Sequence, residues 1–152
     1  TEVGIASSLA PELFEDKTGS VGPAIRGTEI AVRREDRSAA ALGEIGDIWV
    51  RSPTLFNGYC RNEEATVEAL DGDWLLTGDM GSQDEDGFLS IMDRRKDMVI
   101  SGGINIYPRE VEEVLLRHEW VAEAAVVGIP DDQWGERIAA VIDPGVGLIK
   151  NK

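Results

Sequence analysis

One cysteine, one histidine, few basic residues and no long apolar run characterise this 152-residue sequence. With Cys60 alone, no internal disulfide can form, which fits a reducing compartment and points to the cytoplasm. His118, the single histidine, falls in a different region from Cys60, so a cysteine–histidine nucleophilic pair has no support. No stretch approaches the ~20 apolar residues that span a bilayer. No basic segment followed by an apolar one reads as a signal peptide. Lys and Arg number 15 against 29 Asp and Glu, a formal net charge of −14. Such a surface repels nucleic acid and anionic lipid, which are bound through Lys and Arg patches. The only run of three bases is Arg94, Arg95 and Lys96.

What remains is a globular composition, 42% hydrophobic and 29% charged, long enough for one domain or two small ones. Residues 3–42 read as short strands and turns, with Ile30 and Val32 alternating against Glu29 and Ala31. A strand is expected over 43–50, with Ile48 and Val50 on one face and a bulge near Gly46. A short helix fits 62–70. A strand over 74–76 then ends in Thr77, Gly78 and Asp79, and the Asp-Glu-Asp-Gly run at 84–87 predicts a hairpin turn into a strand at 88–92. From residue 97 the order is β-α-β-β, with a buried strand at 121–129 and another at 137–142. The fold class is α+β: a β-rich part, a boundary near 93–97, then a small α+β unit too short to bury much surface by itself.

The stretch SGGINIYPREVEEVL, residues 101–115, places two glycines and a proline ahead of a helix. Pro108 suits a first helical turn, and Val111, Val114 and Leu115 repeat at helical spacing to give one apolar face. Glu110 near the start, with Arg117 and His118 near the end, complements the helix dipole. Gly102 and Gly103 mark either a tight turn or a loop that a ligand approaches closely. Asp79 and Arg94 are also candidates. The two strands of a hairpin bring their outer ends together, so both residues can face one site. There they can close the hairpin as an ion pair or hold the hydroxyls of a sugar.

In order along the chain, GEIGDIWVRSPTLFNGY, WLLTGDM, DEDGFLSIMDRRKDMVISGGINIYPREVEEVL and VVGIPDDQWGER resemble the AMP-forming acyl-CoA synthetases of the adenylate-forming superfamily, up to about residue 142. The resemblance implies two half-reactions. A carboxylate attacks the α-phosphate of Mg-ATP to give an acyl-adenylate, and coenzyme A then takes the acyl group and releases AMP. Fatty acids are among the expected carboxylates. It implies that Asp79 and Arg94 hold the ribose, that Thr1 meets the phosphate of AMP, and that Glu2 helps hold Mg²⁺. Val3 and Gly4 would border the acyl pocket. Lys96 matches the hinge position, and Ser101, Gly102, Gly103 and Asn105 match the loop that lines the pantetheine channel. Residues 1–93 would then be the β-rich end of the large domain, 94–97 the hinge, and 98–152 an incomplete small domain. The S-G-G-x-N-x-Y-P form favours CoA over a carrier protein as acceptor.

Two family elements have no counterpart: the upstream loop that cradles ATP phosphates, and the distal lysine that contacts the carboxylate. Lys150 stands at the wrong spacing, so no catalytic residue is assigned. The chain therefore reads as an internal fragment that works with the remainder of its own enzyme and is inactive alone. The alternatives are a truncated nucleotide-binding module and an adenylation domain that loads carrier proteins.

Overall fold

A computed structural model describes residues 2–145, which divide into two compact units, one ending at Met92 and the other beginning at Asp93. The mixed architecture is α+β. Among the described residues no helix is long and apolar enough to cross a membrane.

The first unit is built on a six-stranded sheet. Its strands are β1 (Ser20–Gly22), β2 (Glu29–Arg33), β3 (Gly46–Arg51), β4 (Leu70–Asp71), β5 (Trp74–Gln83) and β6 (Leu89–Arg94), in the order β1-β6-β5-β3-β2 with β4 on β5. Helix α1 (Glu63–Ala69) is capped by Asn62, whose side chain accepts from the Ala65 N–H. The alternation in β2 and β3 puts Val32, Ile48 and Val50 on one face, where they meet Leu89 to form the core. Val3 packs against this cluster, a structural place for a residue expected at the edge of an acyl pocket. The opposite face of β3 carries Trp49, only 3% exposed. It is covered by guanidinium groups: Arg33 lies 5.1 Å and Arg37 5.6 Å from its ring, and Arg33 also sits 4.6 Å from Trp74. Cation–π contacts of this kind shield an aromatic surface with side chains that keep their charge near water.

The turn expected at 84–87 forms and is closed by Lys17, whose ammonium reaches Asp84 at 2.7 Å and Asp86 at 3.0 Å and lies over the Phe88 ring. Hydrogen bonding to Lys17, then to the Phe88 N–H, lowers the Asp84 pKa, and the same Lys17 bond raises that of Lys17 itself. A carboxylate with a lowered folded pKa contributes its stability above the ordinary aspartate range and loses it as pH falls through the folded value. A lysine with a raised pKa loses its contribution only as pH climbs past the ordinary lysine range. Lys17→Met is therefore expected to lower the urea midpoint at neutral pH and to shrink its fall between about pH 5 and about pH 3. An acid limb identical to that of the parent protein would show that this clamp contributes nothing.

The second unit carries β7 (Val99–Ser101), β8 (Ile104–Ile106), β9 (Glu123–Asp131) and β10 (Gly135–Asp143) in the order β8-β7-β10-β9, with helix α2 (Pro108–Leu115) packed on β9. The expected β-α-β-β order gains a strand, because 101–105 is not an open loop. Ile100 pairs with Asn105 and Ser101 with Ile104, leaving Gly102 and Gly103 as a two-residue turn. The strand expected to be buried at 121–129 is half exposed. It is an edge strand covered on one face only, so Val126 is buried while Val127 is 49% exposed. On α2, Val111 and Leu115 turn inward but Val114 is 61% exposed. The helix stops at Leu115, so Arg117 and His118 lie in the turn beyond it. The His118 Nδ1 accepts the Trp120 N–H.

Candidate functional site

Thr77, Gly78 and Asp79 do not end a strand. Strand β5 continues through them, and they form a bulge against β3. Trp49 pairs with Leu76 and Asp47 with Met80, so Ile48 stands opposite three residues. Gly78, at φ +78°, makes the kink. The Thr77 hydroxyl locks it, donating to the Ile48 carbonyl at 3.0 Å and accepting the Asp79 N–H at 3.1 Å. The bulge expected near Gly46 on β3 thus lies on the partner strand instead. Bulges re-aim side chains, and this one sets Asp79, half-buried, on a rigid sheet. Arg94 is the last residue of β6, the neighbour of β5 in the sheet.

Thr1 lies outside the described residues, as does Lys150. Glu2 is held by the loop after β3. Its carbonyl accepts the Phe56 N–H at 2.8 Å, and its Oε1 accepts the Tyr59 hydroxyl at 3.1 Å. The Thr54 hydroxyl donates to the carbonyl of Val3 next to it. Phe56 and Tyr59 stack edge to face at 4.8 Å. Partial burial, then the Glu2 carboxylate, raise the Tyr59 phenol above its ordinary pKa, so it stays protonated and donates at neutral pH. Among the described residues no group of three or more His, Cys, Asp or Glu could hold a metal. A single oriented carboxylate suits Mg²⁺, which keeps oxygen ligands from water and phosphate and takes only one or two from protein.

Lys96 is exposed in a 3-10 turn (Arg95–Asp97) between β6 and β7. Beside it, Asp93 has a role that sequence reading missed. Tyr107 occupies the N-cap position of α2, but its side chain does not cap the helix. The Asp93 carboxylate does so instead, accepting the Arg109 N–H at 3.0 Å while also accepting the Arg94 N–H at 2.8 Å. A helix start without a capping residue was the available signal that a carboxylate must come from elsewhere. Glu112 and Glu136, on the wall of a cavity of about 360 Å³ in this unit, accept the Val126 and Ile100 N–H groups. They satisfy gaps in the sheet backbone.

At the tip of the β7-β8 hairpin, Gly102 and Gly103 have φ of +57° and +83°, the two positive angles a type I′ turn requires. Gly102 has a second reason to be glycine. A Cβ there would lie 2.5 Å from Cε3 of Trp134. The Gly102 N–H donates to the Trp134 carbonyl at 2.9 Å, and Asp131 accepts the Trp134 N–H at 3.0 Å. Trp134 thus lies across the turn. Ser101 pairs with Gly135, while Asn105 is exposed.

The AMP-binding enzyme C-terminal domain family matches residues 110–151. The 2-succinylbenzoate–CoA ligase of Bacillus pumilus is 47% identical over 135 residues, 89% of this chain and 28% of that protein. The long-chain-fatty-acid–CoA ligase of Yersinia pestis is 42% identical over 125 residues, 82% of this chain and 22% of that protein. The structure of o-succinylbenzoate CoA synthetase from Bacillus subtilis, in complex with the acyl-adenylate intermediate OSB-AMP, superposes with a TM-score of 0.86 at 42% identity, covering 90% of this chain and 28% of that one. In complex with ATP and magnesium ion the same enzyme gives a TM-score of 0.84 at 41% identity, with the same coverage. The chain therefore spans about a quarter of the length of such relatives, from 22% to 28%.

Proposed function

We propose that this chain, kin to the AMP-forming acyl-CoA ligases along 89% of its length, carries the ribose contact and the thioester-forming loop of an ATP-dependent acyl-CoA ligase. The observation that carries the reading is the locked bulge at 77–79, which sets Asp79 on a sheet beside the strand that ends at Arg94. In the proposed reaction a carboxylate displaces pyrophosphate from ATP, and CoA then displaces AMP from the acyl-adenylate. A carboxylate is a poor electrophile and its mixed anhydride with AMP a good one. Catalysis of such a step is mostly positioning and charge neutralisation.

In this reading Asp79 accepts both ribose hydroxyls and Arg94 donates to the same sugar. Thr1 meets the phosphate, and Glu2, oriented by Tyr59, offers oxygen to Mg²⁺, which neutralises phosphate charge when bound. Residues 1–93 belong to the large nucleotide-binding domain and 98–152 to the small one. The segment 94–97 is the hinge, with Lys96 at its pivot. The division into two compact units between Met92 and Asp93 and the short turn that follows support a pivot there. Ser101, Gly102, Gly103 and Asn105 form a wall of the pantetheine channel. The compartment is the cytoplasm, where ATP and CoA are plentiful and a lone exposed Cys60 stays reduced. Relatives named for 2-succinylbenzoate and for long-chain fatty acids stand at 47% and 42% identity. Such closeness to both leaves the choice of carboxylate, fatty acid included, to other residues.

The test uses the native polypeptide, whatever its length. Pyrophosphate exchange into ATP is expected only with a carboxylate present, and AMP release is expected to rise on adding CoA. Exchange that ignores the carboxylate would overturn the reading. Acyl transfer to a carrier protein but not to CoA would replace the acceptor.

A further inference from the structure

We propose that the Asn57-Gly58 pair is a site of spontaneous deamidation, and that its product loosens the loop holding Glu2. Asparagine followed by glycine is the pairing in which a main-chain nitrogen is least hindered in reaching the preceding side-chain carbon, because glycine has no Cβ in the way. Two structural observations make this pair reactive in the folded chain. Asn57 is exposed in the segment between β3 and α1, on the rims of two open depressions of about 430 and 500 Å³, so its side chain has room to turn and water has access. Among the described residues, neither the Asn57 carboxamide nor the Gly58 N–H is engaged in a hydrogen bond. A committed amide would have to break a bond first, and this one does not.

The chemistry needs only water. The Gly58 nitrogen gives up its proton to solvent base and attacks Cγ of Asn57. The N–Cγ bond forms, the Cγ–Nδ2 bond breaks, and Nδ2 leaves as ammonia after taking up a proton. Water then opens the cyclic imide. Breaking the new N–Cγ bond leaves aspartate at position 57. Breaking the main-chain bond to the nitrogen leaves isoaspartate, whose backbone is one atom longer. The net change is loss of ammonia and gain of water, about one mass unit.

The position gives this change its consequence. Phe56 on one side holds the Glu2 carbonyl at 2.8 Å, and Tyr59 on the other holds the Glu2 carboxylate at 3.1 Å. Lengthening the chain between them alters the spacing that makes both bonds possible, and the new carboxylate adds a negative charge to the loop that holds Glu2. Position 58 leaves no room for a side chain: a Cβ there would lie 2.8 Å from Cγ2 of Thr66 on α1. This inference stands on the loop alone and does not depend on Glu2 binding a metal.

The native polypeptide, kept folded at mildly alkaline pH and physiological temperature, is digested at intervals and its peptides weighed. As incubation proceeds, position 57 is expected to gain about one mass unit progressively, as a thermolabile asparagine does, with isoaspartate in the product and a rate that rises with pH. Asn62 and Asn105, followed by Glu63 and Ile106, are expected to stay intact over the same interval. Brief proteolysis is expected to cut residues 52–59 several-fold faster in the aged protein than in the fresh one. The variant Asn57→Gln, whose longer side chain closes the ring poorly, is expected to show no such difference. An Asn57 that survives intact in the folded protein, or conversion no faster than at Asn62 and Asn105, overturns the site. Equal cutting of aged and fresh protein overturns the loosening.

Discussion

Replacing Asp79 by alanine is expected to raise the ATP concentration the intact enzyme needs about a hundredfold. The carboxylate is assigned two hydrogen bonds to ribose hydroxyls. Bonds to a charged group contribute about 1.5–3 kcal/mol each, and a loss of about 3 kcal/mol corresponds to about two factors of ten in affinity. The bulge that carries the residue should survive. Its closing bonds use the Thr77 hydroxyl and the Asp79 main-chain N–H, both of which alanine leaves in place. Thr77→Val makes the complementary change, keeping the carboxylate and removing its mount. It should also weaken ATP binding, though less. Steady-state KM for ATP, with unfolding midpoints taken alongside, checks both. If Asp79→Ala folds normally and needs no more ATP than the parent, the ribose assignment is wrong.

Gly102→Val is expected to cost about 2–3 kcal/mol of stability in the second unit, from strain at φ +57° added to a collision with Trp134. CoA-dependent AMP release should fall further than pyrophosphate exchange, because the hairpin is assigned to the second half-reaction. Gly103 is the internal control. It has φ +83°, but a Cβ there would meet nothing within 4 Å, so Gly103→Asn should be nearly neutral, since asparagine tolerates that conformation. Adding Trp134→Ala to Gly102→Val should restore the part of the loss due to the collision and leave the part due to backbone strain. Calorimetric unfolding of these variants separates the two. If Gly102→Val and Gly103→Asn behave alike, Trp134 does not set the requirement at Gly102, and room for a ligand returns as its explanation.

The contrast between these two glycines shows how far local sequence reaches. Both are legible as residues that tolerate unusual backbone angles. That one of them also makes room for an indole thirty-two positions away depends on how β7 and β10 pair, at Ser101 and Gly135. No pattern inside 101–105 encodes that meeting. The same holds at 77–79. The motif is plain in the sequence, but locally it reads as the end of a strand, because a bulge is defined by the partner, and Ile48 lies far upstream.

Periodicity and short-range sterics depend only on neighbours in the chain, and these the sequence determined by itself. They account for the alternation that buries Val32, Ile48 and Val50, the Asn62 cap of α1, the proline that opens α2, the turn at 84–87 and the α+β class. The series of motifs that resembles the acyl-CoA ligases was likewise legible in the linear text. Tertiary structure alone decided which distant atoms met. It brought Asp93 to cap a helix sixteen residues on, Tyr59 to hold the Glu2 carboxylate, and Lys17 to bind the turn at Asp84. It also left β9 apolar on two faces but covered on one. Each of these is a choice among partners far apart in the chain. It is made by the closure of the whole sheet, because a hydrogen bond or a close packing contact has a range of only a few ångströms.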